Sequence, residues 1–176
     1  MITLKDEIKD KIESDDAASE SEREFLYSLI RAIKPKIVVE IGTHKGMTAL
    51  YMACALCDNG VGILHTTDPK DWEQVANVKK FPFLEKFIVV HKEMGEHLDI
   101  NNIDFLFIDG YHEEHYVIAE VKHFLPKLSD NGVIVFHDCG GDNEKVGVNS
   151  AIEKLGLETA FIPTDNKMRI YGKFKP

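Results

Sequence analysis

The sequence predicts an α/β protein with a doubly wound sheet, in which five parallel strands are closed by an antiparallel C-terminal hairpin. The first observation is that short β-branched apolar runs alternate with helical segments as far as Phe136, a pattern typical of parallel sheets. The second is that the last two predicted strands are joined only by residues 163–167. A link this short allows a hairpin and no crossover, so that pair must be antiparallel.

The predicted elements follow one another along residues 19–176, which we expect to form a single domain. Either Ser19 with Glu22 or Ser21 with Glu24 forms a capping box for the first long helix, which ends before Pro35. The predicted strands are 36–41, 61–67, 87–90, 104–108, 133–136, 157–162 and 168–174. The predicted helices between them are 47–57, 71–80, 112–125 and 148–155.

Residues 1–18 form an acidic N-terminal segment. Leu4, Ile8 and Ile12 are spaced four apart, which indicates a weak helix. Whether this segment is mobile or folds over a ligand is left open. Residues 1–24 hold nine acidic and four basic side chains, and the whole chain has a net charge of −9. Because no face is basic, nucleic acid is not an expected partner.

The composition indicates a cytoplasmic protein. No apolar run approaches the length that crosses a bilayer, so no membrane association is expected. The N-terminus lacks the basic and then apolar pattern of a signal peptide. We expect a small-molecule substrate as the partner, and a homo-oligomer is left open.

The turn after the first strand predicts a ligand site. Ligands of such sheets bind outside the carboxyl ends of the strands, where the strand order reverses. Gly42 and Gly46 flank this turn with the spacing G-x-x-x-G, which differs from the G-x-G-x-x-G of pyrophosphate sites. Glu40 can accept a hydrogen bond, directly or through water, from the ammonium of an amino-acid ligand. Asp68, at the end of the second strand, is placed to accept ribose hydroxyls.

Four motifs carry a family resemblance: Glu40–Thr48 (E-I-G-T-H-K-G-M-T), Thr67–Pro69, Phe107–His112 and Gly132–Asp138. Together they resemble the class I methyltransferases that include antibiotic-sugar O-methyltransferases and cephalosporin-hydroxylase-like proteins. The resemblance implies a Rossmann-like sheet that binds S-adenosylmethionine at Gly42, with Asp68 on the ribose and Glu93 or Met94 near the adenine. The expected cofactor-binding residues are Glu40, Gly42, Thr43, Gly46, Asp68, Glu93, Met94 and Asp109.

The reacting end of the site is predicted where the fourth and fifth strands end. Adjacent parallel strands bring Asp109 and Asp138 to one edge of the sheet, and two carboxylates with a nearby imidazole can hold a divalent cation. The predicted metal ligands are Asp109, His137 and Asp138. The resemblance implies magnesium, whereas the imidazole of His137 favours manganese, iron or zinc. Asp109 and His112 are the predicted catalytic residues, with His112 as general base. The alternative is that His112 only caps its helix or hydrogen-bonds Asp109.

The predicted activity is S-adenosylmethionine-dependent O-methylation of a hydroxyl on a small molecule or sugar, assisted by a divalent metal. One alternative is a non-catalytic binding protein of the same fold. The other is a nicotinamide-dependent oxidoreductase, which the missing third glycine and the closing hairpin disfavour. Only residues 1–20 and 139–147 could cover the site, and the glycine-rich loop 139–143 is a candidate gate.

Overall fold

The computed structural model describes residues 4–12, 18–143 and 146–172. Its α-helices are α1 (Leu4–Lys11), α2 (Glu20–Ile33), α3 (Met47–Asn59), α4 (Gln74–Lys79), α5 (Glu114–Phe124) and α6 (Val148–Lys154). Its strands are β1 (Ile37–Ile41), β2 (Ile63–Thr67), β3 (Ile88–His91), β4 (Ile103–Ile108), β5 (Leu128–Phe136), β6 (Ala160–Ile162) and β7 (Met168–Gly172). Short 3₁₀ turns lie at Pro82–Phe87, Gly95–His97 and Leu125–Lys127.

The seven strands form one sheet in the order β3-β2-β1-β4-β5-β7-β6. Strands β1 to β5 pair in parallel, and β7 pairs antiparallel with both β5 and β6. This confirms the predicted Rossmann-like sheet and its closing hairpin. From β1 the chain builds outward to β3 and then returns to place β4 on the other side of β1. The strand order therefore reverses between β1 and β4, which is where this architecture binds ligands.

Helices cover both faces of the sheet and divide the core into two clusters. On one face, buried side chains of α1, α2 and α3 pack against β1, β2 and β4, with Tyr51, Phe105 and Phe107 at the centre. On the other face, α5 and α6 pack against the alternate residues of the same strands, including Val39 and Ile108. Successive residues of β1 and β4 are thus buried on opposite faces, as expected for a sheet that is covered on both sides.

The two N-terminal helices, α1 and α2, are held in defined positions on the domain. Of the two possible capping boxes, the structure forms the one at Ser19 and Glu22, whose side chain and backbone groups hydrogen-bond reciprocally at the start of α2. In α1, the buried side chains of Ile8 and Ile12 belong to the core cluster that includes α3. Part of the acidic segment therefore packs on the domain, while residues 13–17 lie outside the described residues.

The remaining differences from the predicted elements are at their ends. Helices α4 and α5 begin at Gln74 and Glu114, later than predicted, because the chain first completes the loops that line the cavity described below. Strand β5 begins at Leu128 and runs through Asn131-Gly132, where the sequence indicates a turn. The pairing of β4 with β5 shifts register beside this point, which lets the strand continue. Among the described residues, no helix has the length and apolar character that a bilayer span requires.

Candidate active site

A cavity of about 330 Å³ opens at the carboxyl ends of the strands. The loops that follow β1, β2 and β4 line it, together with residues that follow β3 and β5. Its volume lies within the range of small-molecule sites in proteins. The cavity includes the β1–β4 boundary, so its position agrees with the site that the sequence predicts.

Gly42 allows the turn after β1 to lie directly against the backbone that follows β4. Its φ is +96°, and a Cβ atom at this position would lie 2.0 Å from the carbonyl oxygen of Asp109. No other residue type fits this contact without moving the backbone. Gly46, with φ +88°, is the N-cap of α3 and is not among the residues that line the cavity. The two glycines therefore shape the same turn, and of the two only Gly42 lines the cavity.

Asp68 lines the cavity at the end of β2, with 8% of its surface exposed. Its Oδ2 accepts a hydrogen bond from the backbone N–H of His44 at 3.0 Å, and its Oδ1 accepts one from that of Lys70 at 2.9 Å. These bonds hold the carboxylate in one orientation. Each oxygen retains acceptor capacity for a ligand hydroxyl, as the predicted contact with a ribose requires.

Glu40 lies beneath the cavity and does not line it. Its fully buried carboxyl accepts a hydrogen bond from the hydroxyl of Thr66, its neighbour on β2. That hydroxyl lies 2.6 Å from the hydroxyl of Thr43, which does line the cavity. Burial raises the pKa of Glu40 well above its usual value. The carboxyl of Glu40 therefore does not face the cavity itself, and its predicted contact with a ligand ammonium stays a prediction.

The residues predicted to lie near the adenine separate in the structure. Met94 lines the cavity, whereas Glu93 does not. The backbone oxygen of Glu93 accepts a hydrogen bond from the Thr67 hydroxyl, and its carboxylate lies 3.6 Å from Nδ1 of His91. The contacts of Glu93 thus hold the backbone after β3 in place, while Met94 contributes apolar surface to the cavity.

Four titratable side chains meet at one end of the cavity: Asp109, His112, His137 and Asp138. One ligand atom of each lies within 4.8 Å of those of the others. Nε2 of His112 lies 3.3 Å from Oδ1 of Asp109 and 3.4 Å from Oδ2 of Asp138. Nδ1 of His137 lies 2.8 Å from Oδ1 of Asp109. The structure thus brings the three predicted metal ligands together and adds His112 beside them.

Sequence reasoning missed Glu22 as part of this cluster. Oε2 of this fully buried residue lies 3.0 Å from Nε2 of His137. The same carboxylate accepts hydrogen bonds from the backbone N–H groups of Ser19 and Asn166. The capping box identifies Glu22 as a helix cap, but no sequence pattern pairs it with a residue 115 positions away. Helix α2 and the β6–β7 loop are therefore joined to the reacting end of the cavity.

The charges of the cluster stabilise one another. Burial alone would lower the pKa of His137, but the carboxylates of Asp109, Asp138 and Glu22 raise it to about 12. Burial alone would raise the pKa of Asp109, but His137 and His112 hold it below its usual value. At neutral pH, His137 is consequently an imidazolium between ionised carboxylates.

Aromatic side chains lie at the rim of the cavity. Trp72 and Tyr111 line it and are each 37% exposed. The ring of Trp72 contacts that of His44 edge to face, with 4.7 Å between their centroids. Phe136, the third aromatic candidate from the sequence, is fully buried in the core. The exposed rings give the cavity an apolar rim that a substrate can contact.

The fold and the site define a class I methyltransferase. A family model described as a methyltransferase domain matches residues 39–139, which is more than half of the chain. The chain therefore belongs to this methyltransferase family. The protein y4gI of Sinorhizobium fredii is 27% identical over 125 residues, which are 62% of this chain. The chain spans only 14% of the length of that relative.

Solved structures share the fold over most of the chain. The SAH-bound methyltransferase PaMTH1 of Podospora anserina aligns with a TM-score of 0.74 and 18% identity, covering 93% of this chain and 82% of its own. The O-methyltransferase TomG of Streptomyces achromogenes, in complex with SAM, aligns with a TM-score of 0.73 and 17% identity, covering 92% and 83%. Family membership favours methyl transfer over the nicotinamide alternative.

Proposed function

We propose that this protein is an S-adenosylmethionine-dependent O-methyltransferase that acts on a hydroxyl of a small molecule or sugar. The observation that carries the proposal is the cluster of Asp109, His112, His137 and Asp138 at one end of a cavity bounded by the Gly42 turn. The similar proteins PaMTH1 and TomG hold SAH and SAM respectively, and TomG is an O-methyltransferase. These likenesses support the cofactor and the choice of oxygen as acceptor.

The cavity suits S-adenosylmethionine in its shape and polar groups. The oriented carboxylate of Asp68 binds the ribose hydroxyls, and the backbone beside Gly42 contacts the amino-acid portion. Thr43 presents a hydroxyl that is connected to Glu40 through Thr66. S-adenosylmethionine supplies an electrophilic methyl group on a sulfonium. Because Asp68 holds the ribose and the Gly42 turn holds the amino-acid portion, the sulfonium between them is fixed and its methyl group is directed towards the cluster.

The cluster also fits a divalent metal. Nδ1 of His137 is buried and faces Oδ1 of Asp109 at 2.8 Å, while its Nε2 is held by Glu22. A divalent ion at Nδ1 would displace the proton of the imidazolium, because a metal-binding imidazole is neutral. A carboxylate on the second ring nitrogen is the usual way in which a metal-binding histidine is oriented. Asp109, His137 and Asp138 would hold the ion, which lowers the pKa of an acceptor hydroxyl. A nitrogen donor among carboxylates favours manganese, iron or zinc over magnesium.

His112 is the general base of the proposal. Its Nε2 is held between Asp109 and Asp138, and the residue lines the cavity with a quarter of its side chain exposed. As the methyl group leaves the sulfonium for the acceptor oxygen, the hydroxyl proton would pass to the other ring nitrogen of His112, because Nε2 donates its proton to the two carboxylates. Asp109 and Asp138 orient the imidazole for this transfer.

Calorimetry with S-adenosylhomocysteine tests the cofactor. The full chain should bind it with micromolar affinity, and Asp68→Ala should weaken binding by about 30-fold because two charge-assisted hydrogen bonds are lost. Asp99→Asn, a change at an exposed acid outside the cavity, is the control that should bind like the wild type. Absence of heat with folded wild-type protein would contradict the proposal. Transfer of a labelled methyl group to a panel of sugars and catechols then tests the acceptor.

A further inference from the structure

Glu120 of α5 is a buried acid that the proposed mechanism does not use. It lines the cavity, yet only 4% of its surface is exposed. Its Oε2 is buried and has no hydrogen-bond partner among the described residues. A buried polar atom without a partner destabilises the fold, so an unpaired carboxyl oxygen beside a cavity calls for a functional explanation.

Glu120 reaches the cavity from the opposite face of the sheet to the Asp109 cluster. The cluster is joined to α2 through Glu22, whereas Glu120 comes from α5 on the other face. Oε1 of Glu120 lies 3.3 Å from the position that a Cβ atom would occupy at Gly110. A Cβ atom at Gly110 would in turn lie 3.1 Å from Cγ2 of Ile41. Glu120 therefore lies below the backbone that follows β4.

The cavity wall beside Glu120 is largely apolar. A Cβ atom at Gly95 would also lie 3.2 Å from Ile41, so Gly95 and Gly110 approach the same side chain from two loops. The chain passes from β3 to β4 through the single turn Gly95–His97, which packs against α5. Met94 adds a further apolar side chain to the cavity beside this turn. Gly95, Gly110, Ile41 and Met94 line the cavity together, and such an apolar wall suits contact with one face of a flat heteroaromatic ring.

Glu120 offers such a ring a paired donor and acceptor. Burial, together with the nearby charge of Glu96, raises the pKa of Glu120 to about 8. At neutral pH the group is thus mostly a carboxylic acid, with one O–H donor and one carbonyl acceptor side by side. Adenine presents the complementary pair, since its exocyclic amino group donates next to a ring nitrogen that accepts.

We propose that Glu120 recognises the adenine ring of the cofactor through this pair of hydrogen bonds. The inference rests on the proposed function, because it takes S-adenosylmethionine as the ligand. Glu120 on α5 would thus select adenine over other rings, while the predicted contact of Met94 comes from the loop after β3. A purine ring without the amino group keeps its ring nitrogens, so it would leave the buried carbonyl oxygen of Glu120 without a donor.

The test compares two ligands and three variants by calorimetry. Wild-type protein should bind S-adenosylhomocysteine at least about tenfold more tightly than its analogue with unsubstituted purine in place of adenine. Glu120→Leu should weaken binding of the adenosyl compound about tenfold or more and abolish the preference. Glu120→Gln should retain the preference, because an amide also offers a donor beside an acceptor. Glu153→Gln, at an exposed position of α6, is the matched control and should behave as wild type.

The possible results separate a failure of the role proposed for Glu120 from a failure of the proposed methyltransferase function. Equal binding of both ligands by wild-type protein overturns the role of Glu120 and leaves the proposed function intact, and this comparison does not require any variant to fold. Wild-type affinity in a folded Glu120→Leu protein overturns it as well. Binding of neither ligand by wild-type protein overturns the proposed function and this inference with it.

Discussion

Nε2 of His137 lies 3.0 Å from Oε2 of Glu22, and this contact joins the first long helix of the domain to the end of its fifth strand. Both side chains are at least nine-tenths buried, so the two opposite charges interact with little screening by solvent. Because His137 also faces Asp109, the contact links the stability of the fold to the arrangement of the proposed catalytic cluster.

Glu22→Gln should destabilise the protein by about 2 kcal/mol. The amide keeps the shape of the side chain, but it removes the charge that faces the His137 imidazolium and one acceptor of the helix cap. Urea unfolding at pH 7 measures the change. Glu24→Gln, on the same helix but with a half-exposed carboxylate paired to Lys5, should cost less than about 1 kcal/mol. Equal effects of the two variants would contradict this prediction.

The stability contributed by Glu22 should be lost in acid. Burial alone would raise the pKa of Glu22, but His137 and the backbone N–H groups of Ser19 and Asn166 lower it well below its usual value. A carboxyl whose folded pKa is depressed stabilises the fold above its unfolded pKa and loses this contribution as the pH falls. The stabilisation from His137, whose pKa is raised to about 12, is retained in acid.

The pH dependence can be measured as the gap between wild type and Glu22→Gln. Urea unfolding at pH 7 and at pH 3 should show a smaller gap at pH 3, because Glu22 is then protonated in the unfolded chain while it stays ionised in the folded protein. A gap that stays constant between the two pH values would show that the charge of Glu22 contributes nothing to stability.

Gly42→Ala should destabilise the domain by more than about 2 kcal/mol. The added Cβ combines a positive φ with a 2.0 Å approach to the carbonyl oxygen of Asp109, so the backbone must move. Gly156→Ala is the matched control, since Gly156 has φ +64° and no atom within 4 Å of the added Cβ. It should cost only about 1 kcal/mol. Thermal unfolding of the two variants compares them, and similar melting temperatures would count against the close approach at Gly42.

Asp109→Asn and Asp138→Asn should each remove divalent-dependent methyl transfer. Each change replaces a carboxylate that would hold the ion with a weaker neutral donor. The measurement is turnover with manganese, zinc or magnesium added to chelator-treated protein, using an acceptor found in the panel. Asp99→Asn should keep wild-type turnover, because its exposed carboxylate is paired with Lys127 outside the cavity. Full wild-type turnover in the presence of chelator would disprove the metal, and would leave His112 as the base.

Sequence patterns predicted the end of the cavity that Gly42 and Asp68 line. Glycine in the turn after β1 and an acid after β2 are local features, and the parallel arrangement of β1 and β2 brings their ends together. For the same reason the ends of β4 and β5 brought Asp109, His137 and Asp138 into one cluster. The boundaries of α4 and α5 were predicted too early, since loop residues that line a cavity can share the composition of a helix start.

The alternation of elements and the short final link thus determined the sheet, its hairpin and the edge at which the site lies, because strand direction and connection length follow from local sequence. Only the tertiary structure decided which side chains face one another there. It placed Glu40 below the cavity, Glu22 against His137 and Glu120 under Gly110. Such contacts depend on how helices pack across the two faces of the sheet, and no periodicity or spacing within one segment encodes the partner that packing will bring.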